Sequence, residues 1–369
     1  MGNPLRILHV VVNMNRGGAE TLIMNLYRNM DKTKVQFDFL TCKEGVFDSE
    51  ILKMGGKIHR IPYISEIGHF KYAKKLDEFF STNKEYKIVH SHMDKMSGII
   101  LLAAKKAGVS IRISHSHNTR SEGGLAARLY KWYVGNLIIK NSTNLFACST
   151  QAAEWLFKEK SQSTKILKNG IEIEKFTFCP KTRNEVREEL NLDNDKFVLG
   201  HVGRFAHQKN HSFLIDLFAE YHKINKNSVL VLVGDGPLRL DIERQVKKLN
   251  IVGNVKFVGI RSDIHRLLQA FDLFVFPSLH EGLPVSLVEA QGSGLPCVIS
   301  DNISKEVDIG SNLVEFISLN NNSQWIQKVK KIASMQLNRN IISHSISKQG
   351  YDIRKTAGKL ENFYISISG

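Results

Sequence analysis

Two acids, two cations, four histidines and a few glycines in this chain stand where chemistry could be done. Glu281 and Glu289 lie eight residues apart in the stretch 276–301, FPSLHEGLPVSLVEAQGSGLPCVISD, which reads as a strand end, a tight loop, a helix and the next strand. Eight helical steps end roughly 80° past two full turns. Glu281 precedes Gly282-Leu283-Pro284, so it belongs to the loop ahead of the helix. Pro284 suits the first helical turn, where its missing N–H costs nothing. The helix start would then offer free N–H groups from Gly282 to Ser286, Leu283 and Val285 among them, with one acid in front and another two turns down. Such an N-terminus and its dipole favour a bound anion such as a phosphate.

Gly203-Arg204, with Lys209 five residues on, follows another apolar run. Arginine supplies a planar fork and lysine a point charge, together a clamp for a diphosphate. Basic residues in exposed loops are common, so the position at a strand's carboxyl end is what gives this pair weight. Near the start, Asn15-Arg16-Gly17-Gly18-Ala19-Glu20 opens a helix directly after the first strand. Paired glycines there admit a ligand to the backbone. The pattern lacks the G-x-G-x-x-G spacing of a dinucleotide site, and a plain turn is the alternative. His90 and His92 follow one strand, His115 and His117 the next. Histidine at such ends can donate to developing charge or shuttle a proton. The His-x-His spacing is not that of a dedicated zinc site, and no cysteine or carboxylate completes it. For His90 and His92 a hydrogen-bonded structural role leads. Gly234-Asp235-Gly236-Pro237 is mostly turn chemistry, with Pro237 expected at the first helical position.

The elements that must hold these groups come from periodicity. Short apolar runs near 6–12, 35–41, 57–61, 88–92, 111–115, 145–149 and 165–167 alternate with amphipathic helical patterns. That rhythm argues a parallel sheet covered by helices on both faces. It breaks at Asn169-Gly170-Ile171-Glu172, passes through a loose polar stretch to Asn194, and restarts from Phe197. The expected architecture is α/β: two doubly wound, Rossmann-like domains facing each other across a cleft, spanning 1–172 and 195–351, with a hinge at 173–194. In open α/β sheets ligands bind beyond the carboxyl ends of the strands. The stretch 125–140 mixes Leu125, Tyr130, Trp132 and Tyr133 with Arg128, Lys131 and Lys140. It reads either as an interfacial membrane helix or, as the βα rhythm favours, as a helix packed on its own sheet.

The bulk numbers narrow the class. A chain of 369 residues exceeds what one core usually serves. Its 42% hydrophobic and 24% charged residues are ordinary for a globular protein, whereas a formal charge of +15 is not. No single basic block dominates, which argues against a nucleic-acid tail and toward phosphorylated substrates or an anionic membrane face. Cys42, Cys148, Cys179 and Cys297 form no C-x-x-C pair and read as reduced thiols of a cytosolic protein. The start, MGNPLRILHVVV, has too short an apolar run for a signal peptide. Nowhere do 18 apolar residues run together.

Taken together these stretches resemble the retaining glycosyltransferases of family 4, which have the GT-B fold. The match runs in order along nearly the whole chain: Gly17-Gly18-Ala19-Glu20, Gly203-Arg204-x4-Lys209-Asn210, Gly234-Asp235-Gly236-Pro237, Phe257-Val258-Gly259 and Glu281-x7-Glu289. Within the family, SHSHNT and ISDNISKEVDI are similar to enzymes of bacterial exopolysaccharide and capsule clusters. The resemblance implies that Glu289 holds the ribose of a nucleotide-sugar donor and Glu281 the hydroxyls of the transferred sugar. Gly282, Leu283, Pro284 and Val285 would lie beside the diphosphate, with Gly203, Arg204 and Lys209 around it and Gly17 and Gly18 closing over it. His115, taken as the first residue after its strand, would be the cleft histidine. A C-terminal helix, about 352–369, would return to the first domain.

The expected reaction is transfer from a nucleotide diphosphate sugar, with a UDP-sugar favoured, to a glycan or lipid diphosphate-linked acceptor. The anomeric configuration would be retained, with Arg204, Lys209 and the helix N-terminus stabilising the leaving diphosphate. No cofactor and no metal are expected, since protein cations would carry that charge. The expected location is cytoplasmic, peripheral at the inner face of the plasma membrane. Glu281→Ala or Arg204→Ala should remove turnover and leave the fold intact. Two rival readings stand beside this one: a non-hydrolysing sugar-nucleotide epimerase on the same fold, and a non-catalytic sugar-binding subunit.

Overall fold

The computed structural model describes residues 3–121, 123–335, 339 and 343–369, so Met1 and Gly2 of the opening stretch lie outside the described residues. The chain divides into two compact units, one reaching to Gly170 and taking back Asp352–Gly369, the other spanning Ile171–Tyr351. Each is built on one wholly parallel sheet, as expected of two GT-B-type α/β domains.

The first sheet contains β1 (Leu5–Val10), β2 (Val35–Thr41), β3 (Ile58–Arg60), β4 (Ile88–Ser91), β5 (Ile111–Ser116), β6 (Asn144–Ala147) and β7 (Lys165–Ile166). Their spatial order is β3-β2-β1-β4-β5-β6-β7. The strands are apolar on both faces because helices cover both. On one face Ile7, Phe37, Phe39 and Ile113 pack with Leu22, Ile23 and Tyr27 of the helix Gly18–Arg28. The C-terminal helix, Ile353–Ser368, adds Ile353, Ala357, Leu360 and Tyr364 to the same layer. On the other face Leu8, Val10, Leu40 and Val89 pack with Tyr72, Leu76, Ile100 and Leu101.

The second sheet contains β8 (Phe197–Val202), β9 (Ser228–Val233), β10 (Val255–Gly259), β11 (Leu273–Phe276), β12 (Cys297–Ser300) and β13 (Val314–Ile317), in the order β10-β9-β8-β11-β12-β13. In both sheets the direction of winding reverses beside the first strand, between β1 and β4 and between β8 and β11. In open α/β sheets, ligand sites lie beyond the carboxyl ends of the strands at such reversal points.

The stretch 173–194 is not a loose hinge. It carries the helix Pro180–Glu189 and belongs to the second unit. The reason is a buried charge cluster: Arg187 Nη2 donates to Asp272 Oδ2 at 2.7 Å and Arg183 Nη2 to Asp272 Oδ1 at 2.6 Å. The backbone N–H of Val198 in β8 donates to the same carboxylate at 2.8 Å, which ties the stretch to the sheet. The pattern 125–140 also departs from one packed helix. It breaks after Gly135, and Val134 is the one buried side chain of Leu125–Gly135.

Candidate functional site

In the second unit, the loops after β8 and β11 meet at the reversal point. Lys209 Nζ lies 2.7 Å from Glu281 Oε1 and 4.6 Å from the centre of the Phe276 ring. Gln208 stitches the same two loops together. Its side-chain amide donates to the His280 carbonyl at 2.8 Å, and its own carbonyl accepts from Leu279 N–H at 2.8 Å. Glu281 is therefore part of the local structure as well as a candidate ligand. Arg204 differs: it is exposed at the end of β8, and no ion pair to it is found among the described residues.

The loop that carries Arg204 rests on the loop after β9. Phe205 N–H donates to the Asp235 carbonyl at 3.0 Å, and Leu238 N–H to the Phe205 carbonyl at 3.0 Å. Gly234 adopts φ +133°, and a Cβ there would lie 2.1 Å from the Gly203 carbonyl oxygen. Glycine is thus required for close backbone approach, and Gly203 lies on the other side of it. Pro237 stands in the turn ahead of the helix Arg239–Lys248, not at its first position.

The helix runs from Val285 to Gly292, with Pro284 as its N-cap and not in its first turn. Glu281 is buried in the loop before it. Glu289 keeps partial solvent contact on the helix, yet the surrounding protein pushes its carboxyl up to about 7. A carboxyl with that value changes charge near neutral pH, where a diol-binding acid must be ionised to accept two hydroxyl protons.

In the first unit, the helix Gly18–Arg28 starts behind the N-cap Gly17. A Cβ at Gly18 would meet nothing within 4 Å, whereas one at Gly17 would lie 2.2 Å from the Glu20 carboxylate. That carboxylate already occupies ground favoured for an anion at a helix N-terminus.

The histidines form a larger group than the sequence reading found. His9 of β1 joins His90, His92, His115 and His117, and Cα register places His9 beside His90. His9 Nδ1 lies 2.9 Å from His92 Nε2, and His92 Nδ1 lies 2.8 Å from His117 Nε2. His90 Nε2 lies 3.2 Å from His115 Nδ1, and its Nδ1 lies 2.6 Å from the Tyr364 hydroxyl of the C-terminal helix. The two rows stack face to face, His90 on His92 at 4.3 Å and His115 on His117 at 4.1 Å. Burial pushes His9 and His117 down to about 3, and lowers His90, His92 and His115 well below the usual range. All five are neutral at physiological pH.

This arrangement corrects the placement of His115. It lies inside β5, fully buried, and not just after it. His117 is the histidine beyond the strand end and is only half-buried. Its backbone N–H donates to Asp94 Oδ1 at 3.1 Å, and the neighbouring Asn118 amide donates to Asp94 Oδ2 at 2.6 Å. A lone histidine inside the apolar run LRILHVVV was the available signal for His9. Gln208 had no signal beyond preceding Lys209.

Residues 182–352 match the family described as glycosyl transferases group 1, and residues 17–167 match a glycosyl transferase 4-like domain. A putative glycosyltransferase, EpsF, of Bacillus subtilis (strain 168) is 41% identical over 97% of this chain and 96% of its own. A UDP-Gal:alpha-D-GlcNAc-diphosphoundecaprenol alpha-1,3-galactosyltransferase of Escherichia coli is 28% identical over 98% of this chain and 97% of its own. Among solved structures, Anabaena Alr3699/HepE in complex with UDP and glucose superposes with a TM-score of 0.78 at 21% identity, covering 98% of this chain and 100% of that one.

Proposed function

The chain belongs to glycosyltransferase family 4, and from that premise we propose that it transfers a hexosyl or N-acetylhexosaminyl group from a UDP-sugar to a glycan or lipid diphosphate-linked acceptor. The transfer retains anomeric configuration and serves cell-surface polysaccharide synthesis. The observation that carries this reading lies at the carboxyl ends of the central strands β8 and β11 of the second sheet. There the exposed cation Arg204 stands at the carboxyl end of β8, a Lys209–Glu281 pair joins the loops after β8 and β11, and Glu289, with a carboxyl poised near neutrality, lies on the helix that follows. The names of the E. coli relative and the Anabaena complex support UDP-sugars as donors, and the former a lipid diphosphate acceptor.

In this reading Glu289 takes the ribose diol and Glu281 the hydroxyls of the donor sugar. The N–H groups at Gly282, Leu283 and Val285 lie beside the diphosphate, and Gly203 leaves it room. Arg204 and Lys209 neutralise the diphosphate as the glycosidic bond lengthens, which is when preorganised charge lowers the barrier. These cations do the work without a metal or another cofactor. The first unit takes the acceptor side, with Gly17 half-buried and Gly18 exposed at the start of its first helix. His117, in place of His115, presents an imidazole to a substrate oxygen.

A peripheral membrane contact belongs to the same reading. No helix among the described residues is long and apolar enough to cross a membrane. The helix Leu125–Gly135 docks through Val134, whose carbonyl abuts Gly98, and through Tyr130, whose hydroxyl lies 2.6 Å from His69 Nδ1. Leu125, Leu129, Trp132 and Tyr133 are left facing outward, 79%, 67%, 55% and 59% exposed. Burial, and then the nearby charges of Lys158, Arg128 and Lys131, lower the Lys95 ammonium, marking a basic cluster beside that face. An apolar face bordered by cations suits an anionic leaflet.

The test is a donor panel of UDP- and GDP-sugars with an undecaprenyl diphosphate-linked sugar as acceptor. UDP release with an α-linked product from an α-linked donor is the expected result. An epimerised sugar nucleotide, or binding without turnover, would replace the proposal with one of its rivals.

A further inference from the structure

His9, His92 and His117 lie edge to edge in a single row. The His9 and His92 rings are 18° from coplanar with centres 5.1 Å apart, and the His92 and His117 rings are 32° from coplanar with centres also 5.1 Å apart. Those spacings exceed the N···N distances of 2.9 and 2.8 Å by only about two ring radii, so each contact is an in-plane N–H···N bond. Two nitrogens sharing a tetrahedral zinc at 2.0–2.1 Å would stand about 3.3 Å apart, with both lone pairs converging on the ion. The row is a hydrogen-bonded chain.

Counting protons fixes what such a chain can be. A neutral imidazole carries one N–H and one lone pair. Because both nitrogens of His92 are engaged, three neutral rings have only two arrangements. In the first, His9 Nδ1–H donates to His92 and His92 Nδ1–H donates to His117, so the last proton sits on His117 Nδ1. In the second, every bond reverses and the last proton sits on His9 Nε2. These two terminal atoms, His9 Nε2 and His117 Nδ1, are buried and have no hydrogen-bond partner. His9 is 1% exposed, with Phe37 at 4.0 Å and Phe39 at 5.7 Å between ring centres. An unpaired N–H there has no remedy, and an unpaired donor is the rarer tenant of a protein interior. His117 as a whole is only half-buried and lies in the loop beyond the end of β5, so a small shift there lets water or a substrate oxygen reach its Nδ1–H.

We infer that His9 and His92 are positioning residues that lock His117 in the Nδ1–H tautomer, so that His117 meets its substrate as a neutral hydrogen-bond donor and not as a base. The tautomer follows from the chain alone, while its use in transfer rests on the function proposed above. Depressed basicity across the row agrees with neutral rings throughout. A tautomer set by the bond at the other ring nitrogen is a general property of histidine sites.

The experiment is long-range 1H–15N correlation on the full-length protein labelled at its histidines, with His117 assigned by His117→Gln. The expected wild-type result is a protonated Nδ1 and a bare Nε2 on His117. His92→Leu removes the donor to Nε2 and should release His117 to a mixture of tautomers. His92→Gln supplies an amide N–H in its place and should restore the single tautomer. With a confirmed donor and acceptor, His92→Leu should lower kcat at least about tenfold with little change in donor KM, and His92→Gln should recover most of it. Three results would each overturn the inference: a protonated His117 Nε2 in the wild type, an unchanged tautomer in His92→Leu, or stoichiometric zinc held by these rings in purified protein. If no transfer is found with any donor, the spectra still decide the tautomer.

Discussion

Lys209 Nζ stands 2.7 Å from Glu281 Oε1, with only 15% and 9% of the two side chains exposed. An ion pair this enclosed is held by what each partner does for the other. Removing one leaves a charge in a site that water barely reaches, at a cost of about 3–5 kcal/mol for full burial and about 2–3 here. Lys209→Ala and Glu281→Ala should each lose turnover and lower the urea-unfolding free energy by that amount. The double variant Lys209→Met/Glu281→Leu should recover most of the stability and none of the activity. Additive losses in the double-mutant cycle would show that the pair is not coupled.

Arg204 sits at the opposite extreme, exposed and without an ion pair among the described residues. Arg204→Ala should therefore leave stability within about 0.5 kcal/mol, as is usual for surface changes. Turnover should fall roughly a hundredfold or more, since a charge aimed at a leaving group acts mainly in the transition state. Arg204→Lys keeps charge but loses the fork and should fall between. A variant that melts early would move Arg204 from the chemistry to the fold.

Glu289 makes donor binding depend on pH. Its carboxyl is pushed up to about 7 by burial, so it holds its proton below that value in the folded protein. The sign follows: between its ordinary value and about 7 the folded state binds the extra proton, and raising pH through this window costs stability. A ribose diol with two hydroxyl donors needs the carboxylate. The affinity for a UDP-sugar, whose phosphates do not titrate near neutrality, should be constant above about pH 7.5 and fall up to tenfold per unit below about 6.5. Calorimetric titration checks this, and Glu289→Gln should bind weakly with a flat profile. A flat profile in the wild type would detach Glu289 from the ribose.

Much of the framework was legible because it depends on local pattern. Apolar runs of four to seven residues between amphipathic helices announce a parallel sheet, and both sheets have it. Gly203, Arg204, Lys209, Glu281 and Glu289 could be singled out since each follows or opens such an element. Pairing was not legible. Lys209 and Glu281 are 72 residues apart, and nothing local says that their side chains meet. The same holds for His9 and His92, 83 residues apart, which only sheet order brings together. At SHSHNT the strand runs on to Ser116, so His115 is not the first residue after it and His117 is the histidine beyond its end. The stretch 173–194 looked loose because its polar arginines find their partner, Asp272, far along the chain.

The histidine array should make the first unit acid-labile. His9 and His117 are depressed to about 3, and His90, His92 and His115 lie well below the ordinary value, burial first and neighbouring histidines next. Each such group contributes stability that is complete above the unfolded value, near 6.5, and is lost as pH falls below it. Every buried histidine steepens the loss by up to about 1.4 kcal/mol per pH unit. Between pH 6 and pH 5 the unfolding free energy of the first unit should drop by at least about 3 kcal/mol, with uptake of two or more protons. Denaturant titrations followed through Trp132 and Trp155 check it. His92→Gln should take about one proton off the uptake, and a slope near zero in the wild type would mean that the cluster is already protonated when folded.

The outward face of Leu125–Gly135 separates membrane contact from simple exposure. Leu125, Leu129 and Trp132 lie on the side opposite Val134, the one buried residue, with Arg128 along the flank. If this face meets a leaflet, two contributions add: insertion of Trp132 and the leucines, and attraction of about 1 kcal/mol for each basic residue near the surface. Trp132→Ser and Leu129→Asp should each lower partitioning onto vesicles containing phosphatidylglycerol about tenfold, and Arg128→Ser should do so less. Raising salt from 50 to 500 mM should weaken the wild type but scarcely affect what Arg128→Ser/Lys131→Ser retains. These side chains face outward and none belongs to the donor or histidine site, so turnover on a water-soluble acceptor analogue should stay the same. Equal sedimentation of Leu129→Asp and wild type with vesicles would leave this face to another partner.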